Sequence, residues 1–357
     1  MSKPFLWNAF KYVLAVGLLS YVVWRNWSPA NEAGEPLPGL KDVWQEHIIR
    51  GQPIHSECLL LAAMLALAAV LLTIVRWYCL VRAQDLPFTI TNALRLGLVG
   101  FYFSIFLPGS VGGDIIKAAF IARGQARRTV AVATVILDRV IALWALVWFV
   151  ALLGTTFWLS GSLQGAVGDR LRTLVGVAIG IVGFSLLVCL LLAVLSARRA
   201  RRFAIRLSHI PKVGHAAAEF WRAIWMYRRR PKSVLLALLL ALIGHVGFVL
   251  TYYFSARTLW GPEQLPSCQD HFLIVPVGMV IQAVPLFPGG AGIGEAGYGW
   301  LYQLLDYPPR SGVLASLVQR MIYWVLGLGG YLVYLRMKPA LQPIQQAGTS
   351  ELAPVRV

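Results

Sequence analysis

At 357 residues the chain is 58% hydrophobic and only 13% charged, with a mean hydropathy of +0.67. That is about half the charged fraction of a soluble domain, which excludes a water-soluble globular protein and points to an integral membrane protein. The net charge of +17, from 32 Lys and Arg against 15 Asp and Glu, belongs in such a protein to cytoplasmic loops and anionic lipid surfaces, so nucleic acid is not an expected partner.

In chain order, apolar stretches long enough to cross the roughly 30 Å hydrocarbon core fall near 5–24, 58–82, 130–158, 171–196, 233–256 and 313–335. The first, "FLWNAFKYVLAVGLLSYVVW", is long and lacks a small-residue cleavage site, so it reads as a retained helix rather than a signal peptide. Two further apolar segments, about 90–123 and 271–306, are interrupted at "LPGSVGGD" and "PLFPGGAGIGE". Cys58, Cys79, Cys189 and Cys268 form no CxxC pair, which argues against a disulfide framework or a zinc site.

Between 197 and 232 stand eleven basic residues against the single acid Glu219, so this loop is expected in the cytoplasm. Working outward from it, both termini and "RGQARR" at 123–128 fall inside, and 25–57, 159–170 and 257–271 outside. This holds only if each interrupted segment enters and leaves on one side. The first is then a re-entrant hairpin from the cytoplasm and the second one from outside. Two full crossings are the alternative, and they would put Lys3, Arg76 and Arg82 outside.

The two breaks resemble each other. Pro108-Gly109 precedes Asp114 by six residues, Pro288-Gly289 precedes Glu295 by seven, and both Asp114 to Arg139 and Glu295 to Arg320 span 25. With the arginines aligned, Asp138 matches Gln319. The fold expected is an all-α integral membrane bundle: six full spans plus two re-entrant helical hairpins, eight hydrophobic segments in all, related by an inverted repeat. A single transmembrane domain covers 1–340, with repeat cores at about 86–159 and 271–336, and 341–357 is a short flexible tail. Such repeats suit alternating access to a midplane site at interrupted helices.

Gly109, Gly112 and Gly113 in the first break, and Gly289, Gly290 and Gly292 in the second, free backbone groups from the helix ladder next to the prolines. Lipid cannot satisfy these groups, so such backbone lines a wet cavity or is buried in protein. The half-helices after the breaks present positive ends able to bind an anionic phosphate. Asp114 could instead simply cap its helix. Arg139 and Arg320, nine and seven residues into their spans and so about 14 and 10 Å deep, need partners. Asp114 or Asp138 could pair the first and Glu295 the second, with a phosphate clamp as the compatible functional role. Lys117, one turn after Asp114, adds charge or snorkels to the surface. His245 and Gln282 read as interhelical hydrogen-bonding groups. In "AAAEFWRAIWMYRRR", Phe220, Trp221, Ile224 and Trp225 share a helical face suited to an anionic leaflet, with a solvated linker as the alternative for 198–212.

"FLPGSVGGDIIKAAFIARG" with "TVILDRVIALW", and later "VPLFPGGAGIGEAGYGWLYQLL", resembles the lysylphosphatidylglycerol synthase transmembrane (flippase-like) family over nearly the whole chain. The motif positions are Pro108, Gly109, Gly113, Asp114, Lys117, Asp138, Arg139, Pro288, Gly289, Gly290, Gly292 and Glu295. In larger members this bundle is joined to an aminoacyltransferase domain and moves aminoacylated phospholipid. Here about twenty residues follow the last span, so lysyl transfer is not expected.

The function expected is translocation of a phosphate-bearing lipid (phospholipid, polyprenyl phosphate or glycolipid) in a bacterial or archaeal cytoplasmic membrane. Asp114, Lys117, Asp138, Arg139, Glu295 and Arg320 are the candidate headgroup contacts, with no cofactor or metal called for and a homodimer compatible with the sequence. One alternative is an intramembrane enzyme in which Asp114, Asp138 and Glu295 hold a divalent metal, although no nucleophile with a positioned base is evident. An ion-coupled small-solute carrier is the other. A lateral opening of the cavity to lipid discriminates in favour of the first reading.

Overall fold

The structure is a computed structural model that describes residues 3–28, 39–51, 53–107, 112–125, 127–210, 214, 217–218, 221, 225, 227–228, 230–283 and 288–337. Pro108 and Gly109, the expected face with Phe220 and Ile224, and the 341–357 tail therefore lie outside the described residues.

The described residues form twelve α-helices: α1 (Lys3–Arg25), α2 (Leu40–Trp44), α3 (Ser56–Arg82), α4 (Ile90–Phe106), α5 (Gly112–Arg123), α6 (Arg128–Leu159), α7 (Gly165–Val194), α8 (Ala197–Ser208), α9 (Pro231–Arg257), α10 (Cys268–Gln282), α11 (Ile293–Leu304) and α12 (Pro309–Met337). Among the described residues, five helices are long and apolar enough to cross a membrane: α3, α6, α7, α9 and α12. The apolar part of α1 that is described, Tyr12–Arg25, is shorter than that. The helices α4, α5, α10 and α11 have 17, 12, 15 and 12 residues, or about 25, 18, 22 and 18 Å at 1.5 Å per residue. Each is short of the hydrocarbon thickness, and each pair is joined at a glycine-rich break.

The long helices are uniformly apolar, as expected where lipid covers one side and protein the other. The centre is an antiparallel packing of α3 on α9, with α4 against α12 and α5 against α6 beside it. At one end of the bundle Gln125 Nε2 donates to Pro87 O (2.7 Å) and Arg127 Nη1 to Gln84 O (3.1 Å), so the chain leaving α5 returns to where it entered α4. Tyr227 donates to Leu80 O (2.8 Å) and Arg228 to Leu195 O (2.8 Å) at this same end. Arg230 pairs with Asp85 there (2.5 Å). The arginine-rich α8 begins directly after Leu195.

At the opposite end, His55 N–H donates to Thr258 O (3.0 Å) and Arg170 to Leu304 O (2.7 Å), while Leu163, Leu171, Trp260, Leu265 and Leu305 share one apolar cluster. The start of α10 and the end of α11 therefore also lie together. The tip of this second pair reaches α4, where Gly289 lies so close to the Ile105 carbonyl that a Cβ would stand 2.8 Å from its oxygen. Trp221, expected on a lipid-facing stripe, instead donates its indole N–H to Ala200 O (3.0 Å) and meets the Phe203 ring edge-on, so its ring is spent on α8.

Candidate functional site

Where α3, α4, α5, α6, α9, α10 and α12 converge they enclose a cavity of about 320 Å³. Its charged lining among the described residues is Arg76, Asp114, Lys117, Asp138 and Arg139, and Gly289 of the second break closes one side.

The first hairpin owes its tightness to Gly113. A Cβ there would overlap both Gly100 O and Ser104 Oγ, so only glycine lets α5 touch the α4 backbone. That contact sets Asp114, the third residue of α5, against the cavity. Its Oδ1 lies 2.8 Å from Lys117 Nζ and its Oδ2 3.8 Å from Arg139 Nε. Oδ2 is buried and accepts no hydrogen bond among the described residues. The Lys117 stem lies against Gly100 and its ammonium stands 5.3 Å from the Trp77 ring centroid, a cation–π arrangement that fixes a flexible side chain.

Asp138 does not pair with Arg139, its neighbour in sequence. Arg76 on α3 takes it in a fork, Nε to Oδ1 at 2.7 Å and Nη2 to Oδ2 at 3.1 Å, with both side chains 5% exposed. Arg76 is the residue that sequence reasoning missed as a site group. The available signal was its place inside a long apolar span, where a lone arginine must find a partner.

The second break is shaped by its glycines. Gly289, Gly290 and Gly292 have φ of 52°, 67° and 82°, and this left-handed run folds the loop back over Glu295. Gly292 N–H donates to Glu295 Oε2 (2.7 Å), Arg320 Nε donates to Oε1 (2.6 Å) and Arg320 Nη1 donates to Gly289 O (3.0 Å). Glu295 is fully buried, and neither it nor Arg320 is among the residues lining the cavity. Glu295 and Arg320, expected among the headgroup contacts, thus lie outside the cavity lining, the carboxylate being held by its own loop and by Arg320. Asp114, Asp138 and Glu295 are each held by separate cations, and among the described residues no three His, Cys, Asp or Glu side chains gather as a metal site would require.

Placed helix on helix, α3 to α6 and α9 to α12 carry matching positions. Trp77 and Tyr252 are each the twenty-second residue of their helices, Gly100 and Gly278 the eleventh, Asp114 and Glu295 the third, Lys117 and Tyr298 the sixth, and Arg139 and Arg320 the twelfth. The contacts match as well. Tyr298 packs on Gly278 and stacks on Tyr252 (4.2 Å between centroids), as Lys117 packs on Gly100 and under Trp77. Both arginines sit deeper than hydropathy implies, about 16 Å from the helix start, because α6 begins at Arg128 and α12 at Pro309. The chemistry in the matching slots differs: Arg76, Lys117 and Asp138 stand opposite Thr251, Tyr298 and Gln319.

The cavity meets the outer surface along α6. Arg139 and Leu143 line it while their side chains are 40% and 43% exposed, and Ile136 and Val140 on the same helical face are 46% and 48% exposed. Ile115, beside Asp114, is 64% exposed. A charged pocket that opens between apolar residues meant for lipid can receive a polar group attached to an acyl chain.

Neither a search of curated proteins nor one of solved structures returned a match. The model of one family, described as the lysylphosphatidylglycerol synthase TM region, matches residues 49–330 and so covers both hairpins and every charged group of the cavity. With five membrane-length helices among its described residues and that match over most of its length, this chain belongs to the lysylphosphatidylglycerol synthase TM family, whose work concerns membrane lipids.

Proposed function

We propose that the protein is a lipid translocase that moves a phosphate-bearing lipid between leaflets through the cavity lined by Asp114, Lys117 and Arg139. The observation that carries this reading is the seam on α6, where Arg139 reaches the charged cavity from a face otherwise given to lipid. A small-solute carrier would need a water-filled vestibule, whereas an acyl chain can lie along Ile136, Val140 and Leu143 while the headgroup enters. Lys117 and Arg139 would take the phosphate, with Asp114 as the counterion that holds both cations when the cavity is empty.

In this reading α4–α5 and α10–α11 are re-entrant hairpins of an inverted repeat, entering from opposite leaflets. Support comes from the return of each pair to its own end of the bundle and from helix lengths below the hydrocarbon thickness. The arginine-rich end is cytoplasmic, by the distribution of basic residues, and with it the N- and C-termini. The membrane is the cytoplasmic one.

The test is headgroup translocation in proteoliposomes. Asp114→Asn and Arg139→Ala should each slow transport by about tenfold or more: the second removes one charge-assisted contact to the phosphate worth roughly 1.5–3 kcal/mol, and the first removes the counterion that retakes Lys117 and Arg139 when the phosphate leaves. Unchanged transport in both would overturn the assignment.

A further inference from the structure

We infer that, on the lipid-carrier reading, Arg76 is a further phosphate-binding residue of this cavity, its guanidinium held by Asp138 so that the remaining corner is offered to the headgroup. Three observations support this.

The first is placement. Arg76 lines the cavity, and both of its hydrogen bonds go to Asp138, from Nε at 2.7 Å and from Nη2 at 3.1 Å. Nη1 has no partner among the described residues, yet it is not closed off from water. On a side chain only 5% exposed, that accessible corner is the one turned to the cavity. A planar guanidinium fixed along one edge presents its remaining donors already oriented, so little rotamer freedom is lost when a phosphate oxygen arrives.

The second is a circuit of contacts. Arg76 and Trp77 are neighbours on α3, as Asp138 and Arg139 are on α6. Arg76 holds Asp138, Arg139 stands 3.8 Å from Asp114 Oδ2, Asp114 Oδ1 lies 2.8 Å from Lys117 Nζ, and Lys117 returns to the Trp77 ring. The three cations are thereby gathered around one space. Side-chain exposure falls along the circuit, from 40% at Arg139 on the lipid seam through 12% at Lys117 to 5% at Arg76. Arg139 stands at the mouth and Arg76 innermost, so a phosphate entering by the seam ends at Arg76.

The third is the contrast between the two halves. Thr251 and Gln319 fill the slots matching Arg76 and Asp138, and each bonds along its own helix, Thr251 Oγ1 to Gly247 O (2.8 Å) and Gln319 Nε2 to the Tyr323 oxygen (3.3 Å). The same arrangement of two long helices about a hairpin is therefore made without an ion pair in these slots. Burying a charge pair carries a desolvation cost that the mutual attraction often no more than repays. The scaffold does not require the fork, whereas recognition of an anion gives it a use.

The test is Arg76→Thr/Asp138→Gln in the full chain, which brings to α3 and α6 the residues of the matching slots and leaves the net charge of the cavity unchanged. Binding is read in nanodiscs by native mass spectrometry with phosphatidylglycerol and a polyprenyl phosphate, each beside its phosphate-free counterpart, diacylglycerol and polyprenol. The phosphate lipid that the parent prefers identifies the source of the phosphate. The double variant should bind that lipid about tenfold or more weakly, the size of one lost charge-assisted contact, while its phosphate-free counterpart binds as it does to the parent. Translocation in proteoliposomes should slow to match. Arg76→Lys, which keeps a cation for Asp138 without the planar second edge, should show the same selective loss. Parent-like phosphate affinity in either variant, or an equal loss for both members of a probe pair, would make the fork a structural pair, overturning this inference and leaving the carrier reading intact. A parent that binds neither phosphate lipid more tightly than its phosphate-free counterpart would overturn both.

Discussion

Replacing Glu295 with glutamine removes a charge while preserving shape, and the surroundings of the side chain make the outcome calculable. Glu295 is fully buried, its two oxygens accept from Gly292 N–H and Arg320 Nε, and Arg320 is itself 6% exposed. The glutamine oxygen can satisfy one of these donors, so the cap on α11 can survive. Arg320 then remains as an uncompensated buried cation, a change that costs about 3–5 kcal/mol in comparable pairs. The double variant Glu295→Gln/Arg320→Met removes that cation and should return to within about 1–2 kcal/mol of the parent, since a buried ion pair replaced as a unit is close to neutral. Unfolding in mixed micelles titrated with denaturing detergent measures both. The expected pattern is a large loss in the single variant and a coupling energy of opposite sign in the double. A single variant as stable as the parent but inactive in transport would refute the structural role of Glu295 and return it to the headgroup site.

Arg76→Met should behave in the same way, losing about 3 kcal/mol through the orphaned Asp138, and Arg76→Met/Asp138→Leu should recover most of it; the same unfolding titration checks both. Gly113→Ala drives a methyl group into the Gly100 carbonyl oxygen. It should therefore cost about 1–3 kcal/mol by overpacking and displace Asp114 from the cavity. Loss of transport with retained phosphatidylglycerol binding would contradict that displacement.

Chain distance made the two acid–arginine pairs legible in the sequence. A helix that starts at a break and an arginine 25 residues later, one turn-back away, come together in both halves, and the Asp114–Arg139 and Glu295–Arg320 pairs lie where that count puts them. Arg76 was not legible as a partner because its contact with Asp138 bridges 62 residues and depends on how α3 packs against α6. Nor was the contrast between Asp114 and Glu295. Both read as an acid after a glycine-rich break, yet the left-handed angles of Gly289, Gly290 and Gly292 fold the loop over Glu295 while Asp114 lines the cavity. Hydropathy discounts polar first turns and so places two helix starts late, at 130 and 313, whereas the helices begin at Arg128 and Pro309. The correspondence of Lys117 with Tyr298 also needed coordinates, since a cation and a phenol share no sequence signature.

Tyr12 donates its hydroxyl to the Phe106 carbonyl at 2.7 Å, at the point where α4 stops and its backbone oxygens lose their helical partners. Leu18, on the same helix, packs against Gly292. Helix α1, made before either hairpin, thus completes the tips of both, the nearer contact lying 94 residues on. During synthesis α1 must wait in the bilayer with its contacts unmade, and the break after α4 stays short of one hydrogen bond until the two meet. Assembly of the cavity is for this reason an event of the whole chain and not of either half.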